Sequence, residues 1–287
     1  MKLIITIITI SLIIPLSLYA NLPIDTVSFV PENNLRVTIY DKNASNVTEQ
    51  DFNAILDKVE SIYASIVAEK GGRLEVVRNW GDSTVNAYAN REGANWKIHM
   101  FGGLARHNSM THDGFVLVAC HELGHQIGGA PKGRTLFFKS WASNEGQSDY
   151  FAALKCLKRV FEKEDNITDV ASMQVDPVAA NACEQSLPNL YEQSICKRVA
   201  MAGQSVARLF AALGGGSGSF STPDRNVVSR TNNSHPSTQC RLDTYLAGAL
   251  CHQDPYLDLS DKDEQIGACN EAEGHTIGFR PRCWYRP

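Results

Sequence analysis

Beyond residue 20 the chain has no apolar run of the 18 or more residues that a membrane-spanning helix needs. Charge of one sign is also scarce: the formal net charge is -4 with no long basic run. Nothing electrostatic therefore invites nucleic acid or an anionic membrane surface. Gly-x-Ser-x-Gly elbows and phosphate-cradling P-loops are missing, which argues against the common serine hydrolases and nucleotide enzymes. No internal repeat is visible. None of the eight cysteines has the C-x-x-C spacing of a zinc ribbon or redox site, so disulfide staples are their expected role.

What is present suits one medium domain, or two lobes sharing a cleft: 287 residues, 43% hydrophobic and 20% charged. Residues 1–20 carry Lys2, an apolar run from Leu3 to Leu18, and Ala20 before Asn21, the pattern of a secretory signal peptide. A secreted or periplasmic location is expected, with no stable membrane insertion once that segment is cut away. Eight thiols allow 105 pairings. If Arg241 to Leu250 is helical, Cys240 and Cys251 stand roughly 16 Å apart along its axis and must each pair elsewhere or stay free.

Residues 21–105 read as a small α/β lobe. Arg36 to Tyr40 alternates like a strand. A helix follows, opened by Thr48 with Asp51 in capping-box position and closed by Gly71-Gly72, with Phe52, Ile55, Leu56, Val59, Ile62, Tyr63 and Ile66 along one face. Arg73–Trp80, Val85–Ala89 and Trp96–Phe101 read as strands. The last could be a sheet edge where an extended peptide adds, or an ordinary interior strand. Residues 106–213 should be helical, with helices over Thr111–Gly129, Trp141–Phe161 and about Leu190–Leu213. Gly214 to Ser219 reads as a flexible linker, and residues 214–287 as a segment with one short helix and four cysteines.

The helix from Thr111 carries His121-Glu122-x-x-His125. Its two imidazoles lie one turn apart and can hold one zinc ion, while Glu122 beside them can take a proton from an activated water. A third protein ligand is needed. The long metzincin pattern would put His or Asp at position 131, which is Pro131. Asn144-Glu145-Gly146-Gln147-Ser148-Asp149 offers a carboxylate instead. Glu145 and Asp149 face the same way, so one can ligate while the other accepts a hydrogen bond from a ligand histidine. Small residues at Gly124, Gly146, Ser148 and Ala152 would let the two helices approach closely. His112, nine residues before His121, should point away from the metal.

These motifs resemble the gluzincin zinc peptidases, thermolysin among them. The segment His235-Pro236-Ser237-Thr238-Gln239-Cys240-Arg241-Leu242 is similar to a His-Pro-x-x-x-x-Arg-Ile stretch in metallopeptidases of the HtpX and CAAX-protease type. The resemblance implies Glu145 as third ligand, Asp149 and neighbouring Asn144 as supports, and a His-Pro segment bordering the active site. His235 or Arg241 could then stabilise an oxyanion, though Arg241 could equally be a buried ion-pair partner. The implied fold is α+β and zincin-like: a mixed-sheet lobe packed on a helical zinc-binding lobe, with a cysteine-containing C-terminal tail. The implied activity is zinc-dependent endopeptidase cleavage of protein or peptide substrates. A zinc amide hydrolase acting on cell-wall peptides, or a secreted binding protein with structural zinc, are the alternatives.

Overall fold

The structure, a computed structural model, describes residues 26–134 and 139–287. The expected signal peptide, residues 1–20, lies outside them. The fold is α+β. Strand β1 is Val27–Ser28, followed by helix α1 (Glu49–Glu69) and strands β2 (Arg73–Asn79), β3 (Ala87–Glu92) and β4 (Asn95–Phe101). Helix α2 (Gly102–Arg106) leads to α3 (His112–Ile127), and a small hairpin is made by β5 (Lys132–Arg134) and β6 (Lys139–Ser143). Next come α4 (Glu145–Phe151), a π-helical stretch (Ala152–Cys156) and α5 (Leu157–Phe161), continuous with one another. Helices α6 (Asn166–Ala171), α7 (Pro177–Ser186), α8 (Leu190–Ala212) and α9 (Thr238–Leu250) complete the helical part, and a 3-10 turn covers Glu271–Glu273.

Helix α1 forms as its sequence dictates. Thr48 and Asp51 close a capping box, and Phe52, Leu56, Val59, Tyr63 and Val67 are buried, with Ile55, Ile62 and Ile66 packed at the margin. The sheet runs β1-β3-β4-β2, with β2 parallel to β4 and the other pairs antiparallel. The β3–β4 turn passes through Gly93 at φ +59°, a conformation that costs glycine little.

Two strand expectations are corrected. Arg36 to Tyr40 is not a strand: Arg36 makes one isolated bridge with Thr84, and Thr38 to Asp41 turns out into solvent, leaving Tyr40 85% exposed. The alternation there has no sheet face to bury against. β3 begins at Ala87 rather than Val85. Of the two readings left open for Trp96–Phe101, the interior strand holds: β4 lies between β3 and β2 and offers no edge to an added peptide. The edge beside β3 is taken by β1, which sequence inspection missed because two residues carry no period.

Helix α3 is buried on every side from Gly114 to Ile127, which makes it the centre of the fold. Phe52, Trp96, Phe115, Tyr150, Val206 and Tyr245 belong to one apolar cluster around it, drawn from the sheet side and the helical side alike. The second expected helix starts at Glu145, not Trp141. Asn144 is its N-cap, accepting from Gln147 N at 2.8 Å, and the preceding residues pair as β6 instead.

All eight cysteines pair: Cys120–Cys156, Cys183–Cys196, Cys240–Cys283 and Cys251–Cys269. Cys240 and Cys251 do pair elsewhere, at opposite ends of α9. Four bridges point to an oxidising, extracellular environment. Among the described residues no helix is long and apolar enough to cross a membrane.

Residues 214–219 are a built turn rather than a free linker. Gly214 and Gly216 have φ of +85° and +78°, Gly215 O accepts from Thr238 Oγ1, and Ser219 N donates to Gln239 Oε1. Gly146 also differs from expectation. It faces the buried ring of Trp284, where a Cβ would stand 2.3 Å from Cδ2, while the approach of α4 to α3 rests on Gly124, whose Cβ would lie 3.0 Å from Ser148 Cα. We expect Gly146→Ala to cost about 1–3 kcal/mol, because a buried indole held on the C-terminal segment must move. Urea unfolding measures it, and an unchanged midpoint would contradict the packing.

Candidate metal centre

Helix geometry and one close helix crossing assemble the site. His121 and His125 project from the same side of α3, and Glu145, the first residue of α4, meets them. One ligand atom from each lies within 4.8 Å of the others. His121 Nε2 stands 3.3 Å from Glu145 Oε2, and His125 Nε2 stands 3.6 Å from Oε1. These are charge-pair distances without hydrogen-bond geometry, since His121 Nε2, His125 Nε2 and Glu145 Oε2 all lack hydrogen-bond partners. Both carboxylate oxygens of Glu122 are buried and unpartnered as well.

Five such atoms on four neighbouring residues need an explanation, because buried polar atoms normally find partners. A bound cation between the two imidazoles and Glu145 supplies one for the ligands, so these residues fit a metal ion. Two imidazole nitrogens and a carboxylate are a donor set also found in catalytic zinc sites, where a water takes the fourth position.

The far side of each imidazole is fixed. His121 Nδ1 lies 2.7 Å from Asp149 Oδ1, and His125 Nδ1 lies 2.8 Å from Ser143 O. A carbonyl and a carboxylate only accept, so both Nδ1 atoms carry hydrogen and both Nε2 atoms face the site. Asp149 is the hub of this support. Its Oδ1 also accepts from Tyr245 Oη at 2.7 Å and from Arg241 at 2.8 Å, and its Oδ2 accepts from Arg241 Nε at 2.7 Å. The disulfide from Cys120, next to His121, to Cys156 ties α3 to the π-helical stretch.

Electrostatics separate the groups. Burial pushes Glu122 up to about 8, with Glu145 adding to the rise and His121 opposing it. Burial would lower His121, but Asp149 and Glu145 outweigh it and hold the ring at about 9. His125, also buried, falls to about 4. For Glu145 burial acts upward, yet the histidines around it bring it down to about 2. Asp149 is held well below the carboxylate range despite burial, chiefly by Arg241 and His121. Asp149 and Glu145 are thus the standing anions, and Glu122 is the carboxyl whose charge a nearby cation would decide.

The structure brings His121, Glu122, His125, Glu145, Asp149 and Asn144 together. Asn144 caps α4 and donates to Asn232 O and to Asn233 Oδ1, tying the metal side to the chain just before His235. His235 borders the centre: its Nε2 is 3.4 Å from Glu145 Oε2 and donates to Ser28 O at 2.8 Å. Arg241 sits on the Nδ1 side of His121, its guanidinium spent on Asp149 and on Phe29 O at 2.9 Å. That placement matches the buried ion-pair partner. His112 lies 3.2 Å from Asp51, away from the metal ligands. Sequence inspection missed Tyr245, Ser143 O and Phe29, whose ring meets that of His121 edge-on at 5.0 Å. Tyr245 had a usable signal, four residues after Arg241 on one helix face.

Comparison of the chain with protein-family models, with curated proteins and with solved structures found no match, so its chemistry is read from the His121, His125 and Glu145 cluster and from Glu122 beside it.

Proposed function

We propose that this chain is an exported, zinc-dependent metalloendopeptidase that hydrolyses peptide bonds in protein or peptide substrates. The observation that carries this reading is the buried, unpartnered carboxyl of Glu122 beside a His-His-Glu cluster. A structural metal site has no use for such a group, and burying it without a partner is costly. Two nitrogens and an oxygen suit zinc among the common ions. Bound there, zinc would act as a Lewis acid and lower the pKa of a water at the site.

The chain's own residues do the rest. Glu122 accepts the proton of the attacking water and returns it to the leaving amine. Asp149 and Ser143 O hold the ligand imidazoles in the tautomer that leaves Nε2 free. His235 is a hydrogen-bond donor at the border of the site, available to a developing oxyanion once it leaves Ser28 O.

Casein, an unstructured protein, is the test substrate for the disulfide-bonded chain. Cleavage that stops with a chelator and returns with added Zn2+ supports the reading. A chain that holds zinc and cuts neither casein nor a diverse peptide mixture would overturn it.

A further inference from the structure

A cavity of about 870 Å³ lies where Pro131 and Lys132 meet segment 228–234 and Arg286. That is within the range of ligand clefts, about 300–1,000 Å³. Its walls belong to the backbone that positions the candidate site. Pro131 O accepts from Asn144 N at 3.0 Å, and Asn144 donates to Asn232 O and Asn233 Oδ1, so the cap of the Glu145 helix rests on both sides of the groove. Groove-lining Ser234 precedes His235, whose ring meets Glu145. The groove is thus joined to the Glu145 side of the candidate centre through Asn144 and through His235.

The charge of the groove runs against that of the molecule. Its ionisable lining comprises four cations (Lys132, Arg230, Lys262, Arg286) and two anions (Asp261, Glu264), an excess of two positive charges in a chain of net charge -4. Lys132 is paired with Asp261 at 2.6 Å. Arg230, Lys262 and Arg286 make no ion pair among the described residues. The arginines are also held in place. Segment 228–232 bonds to the C-terminal segment through Val228 N to Arg282 O and Asn232 N to Trp284 O, and Arg286 N donates to Thr231 Oγ1 at 3.1 Å. The Cys240–Cys283 bridge then anchors that pair of segments to α9. Guanidinium groups on a fixed backbone match carboxylates in a bidentate fork.

We infer that this groove is an anionic-residue subsite, binding Asp or Glu side chains of a polypeptide substrate. As a substrate subsite it rests on the peptidase reading; as an acidic-peptide site it does not. The test therefore begins without catalysis. Zinc-loaded Glu122→Gln protein is titrated, by fluorescence anisotropy, with a labelled Glu-rich decapeptide and with the same peptide carrying Gln throughout. We expect at least tenfold tighter binding of the Glu peptide at low salt, weakening as salt screens the charges. The preference should fall several-fold in Arg230→Gln/Lys262→Gln/Arg286→Gln and also in the single variant Arg230→Glu, all at exposed positions.

Equal binding of the two peptides, or a preference untouched by these variants, would overturn the inference. So would stronger competition by a DNA oligonucleotide or inorganic phosphate than by the Glu peptide. The second arm measures kcat/KM of otherwise wild-type protein on matched Glu and Gln peptides. Charge-selective binding with no cleavage of any peptide leaves the groove standing and removes the peptidase. Cleavage blind to charge does the reverse.

Discussion

Glu122→Gln should lower casein cleavage by about 10²–10⁴-fold while zinc stays bound at wild-type stoichiometry. Glu122 is not among the three residues whose ligand atoms converge, so its amide analogue leaves the metal cluster intact. Glutamine keeps the shape of the side chain and cannot take up a proton at neutral pH. Stability should hold or rise in the same variant. Both Glu122 oxygens are buried without partners, and burial already pushes the carboxyl to about 8, so a neutral side chain removes a strained group. Metal content, cleavage rate and urea midpoint together decide the matter. Undiminished cleavage with zinc bound would exclude Glu122 as the base, and loss of zinc would mean that it belongs to the ligand set.

The second large effect is on folding. Arg241→Met should destabilise the protein by about 3–5 kcal/mol, because it strands the buried Asp149 carboxylate. The guanidinium donates twice to that carboxylate and once to Phe29 O, and lies over the rings of Phe29 and Phe210 at 4.8 and 4.3 Å. Methionine fills part of the volume and replaces none of the charge. Adding Asp149→Asn to Arg241→Met should recover part of the loss, since the stranded charge is then gone. Urea unfolding of the two single variants and the double closes the cycle. A loss below about 1 kcal/mol for Arg241→Met would show that water or another cation compensates Asp149.

The part of the candidate site legible in the sequence is the part made within one helical turn. His121 and His125 share a face because four residues make about one turn, and the same arithmetic aligned Glu145 with Asp149. It left open which carboxylate ligates and which supports. The helix crossing at Gly124 decides that, putting Glu145 against the Nε2 atoms and Asp149 against Nδ1 of His121. The role of Arg241 was equally open, because a guanidinium can serve an oxyanion or a buried carboxylate. Only the packing of α9 against α4 sets it on Asp149.

Capping and periodicity alone determined helix α1, its Thr48–Asp51 box, the start of α3 at Thr111 and the presence of three strands between the two helices, since each depends on partners a few residues away. Tertiary structure decided the rest. It made residues 139–143 a strand and Asn144 a cap, laid Val27–Ser28 along the sheet edge, and selected four disulfides out of 105 pairings. It also placed Arg230 and Arg286 on one groove although 56 positions separate them. The reason is physical: short-range hydrogen bonds and apolar spacing are written into neighbouring residues, whereas pairings between distant segments exist only once α3 is buried and the chain has closed around it.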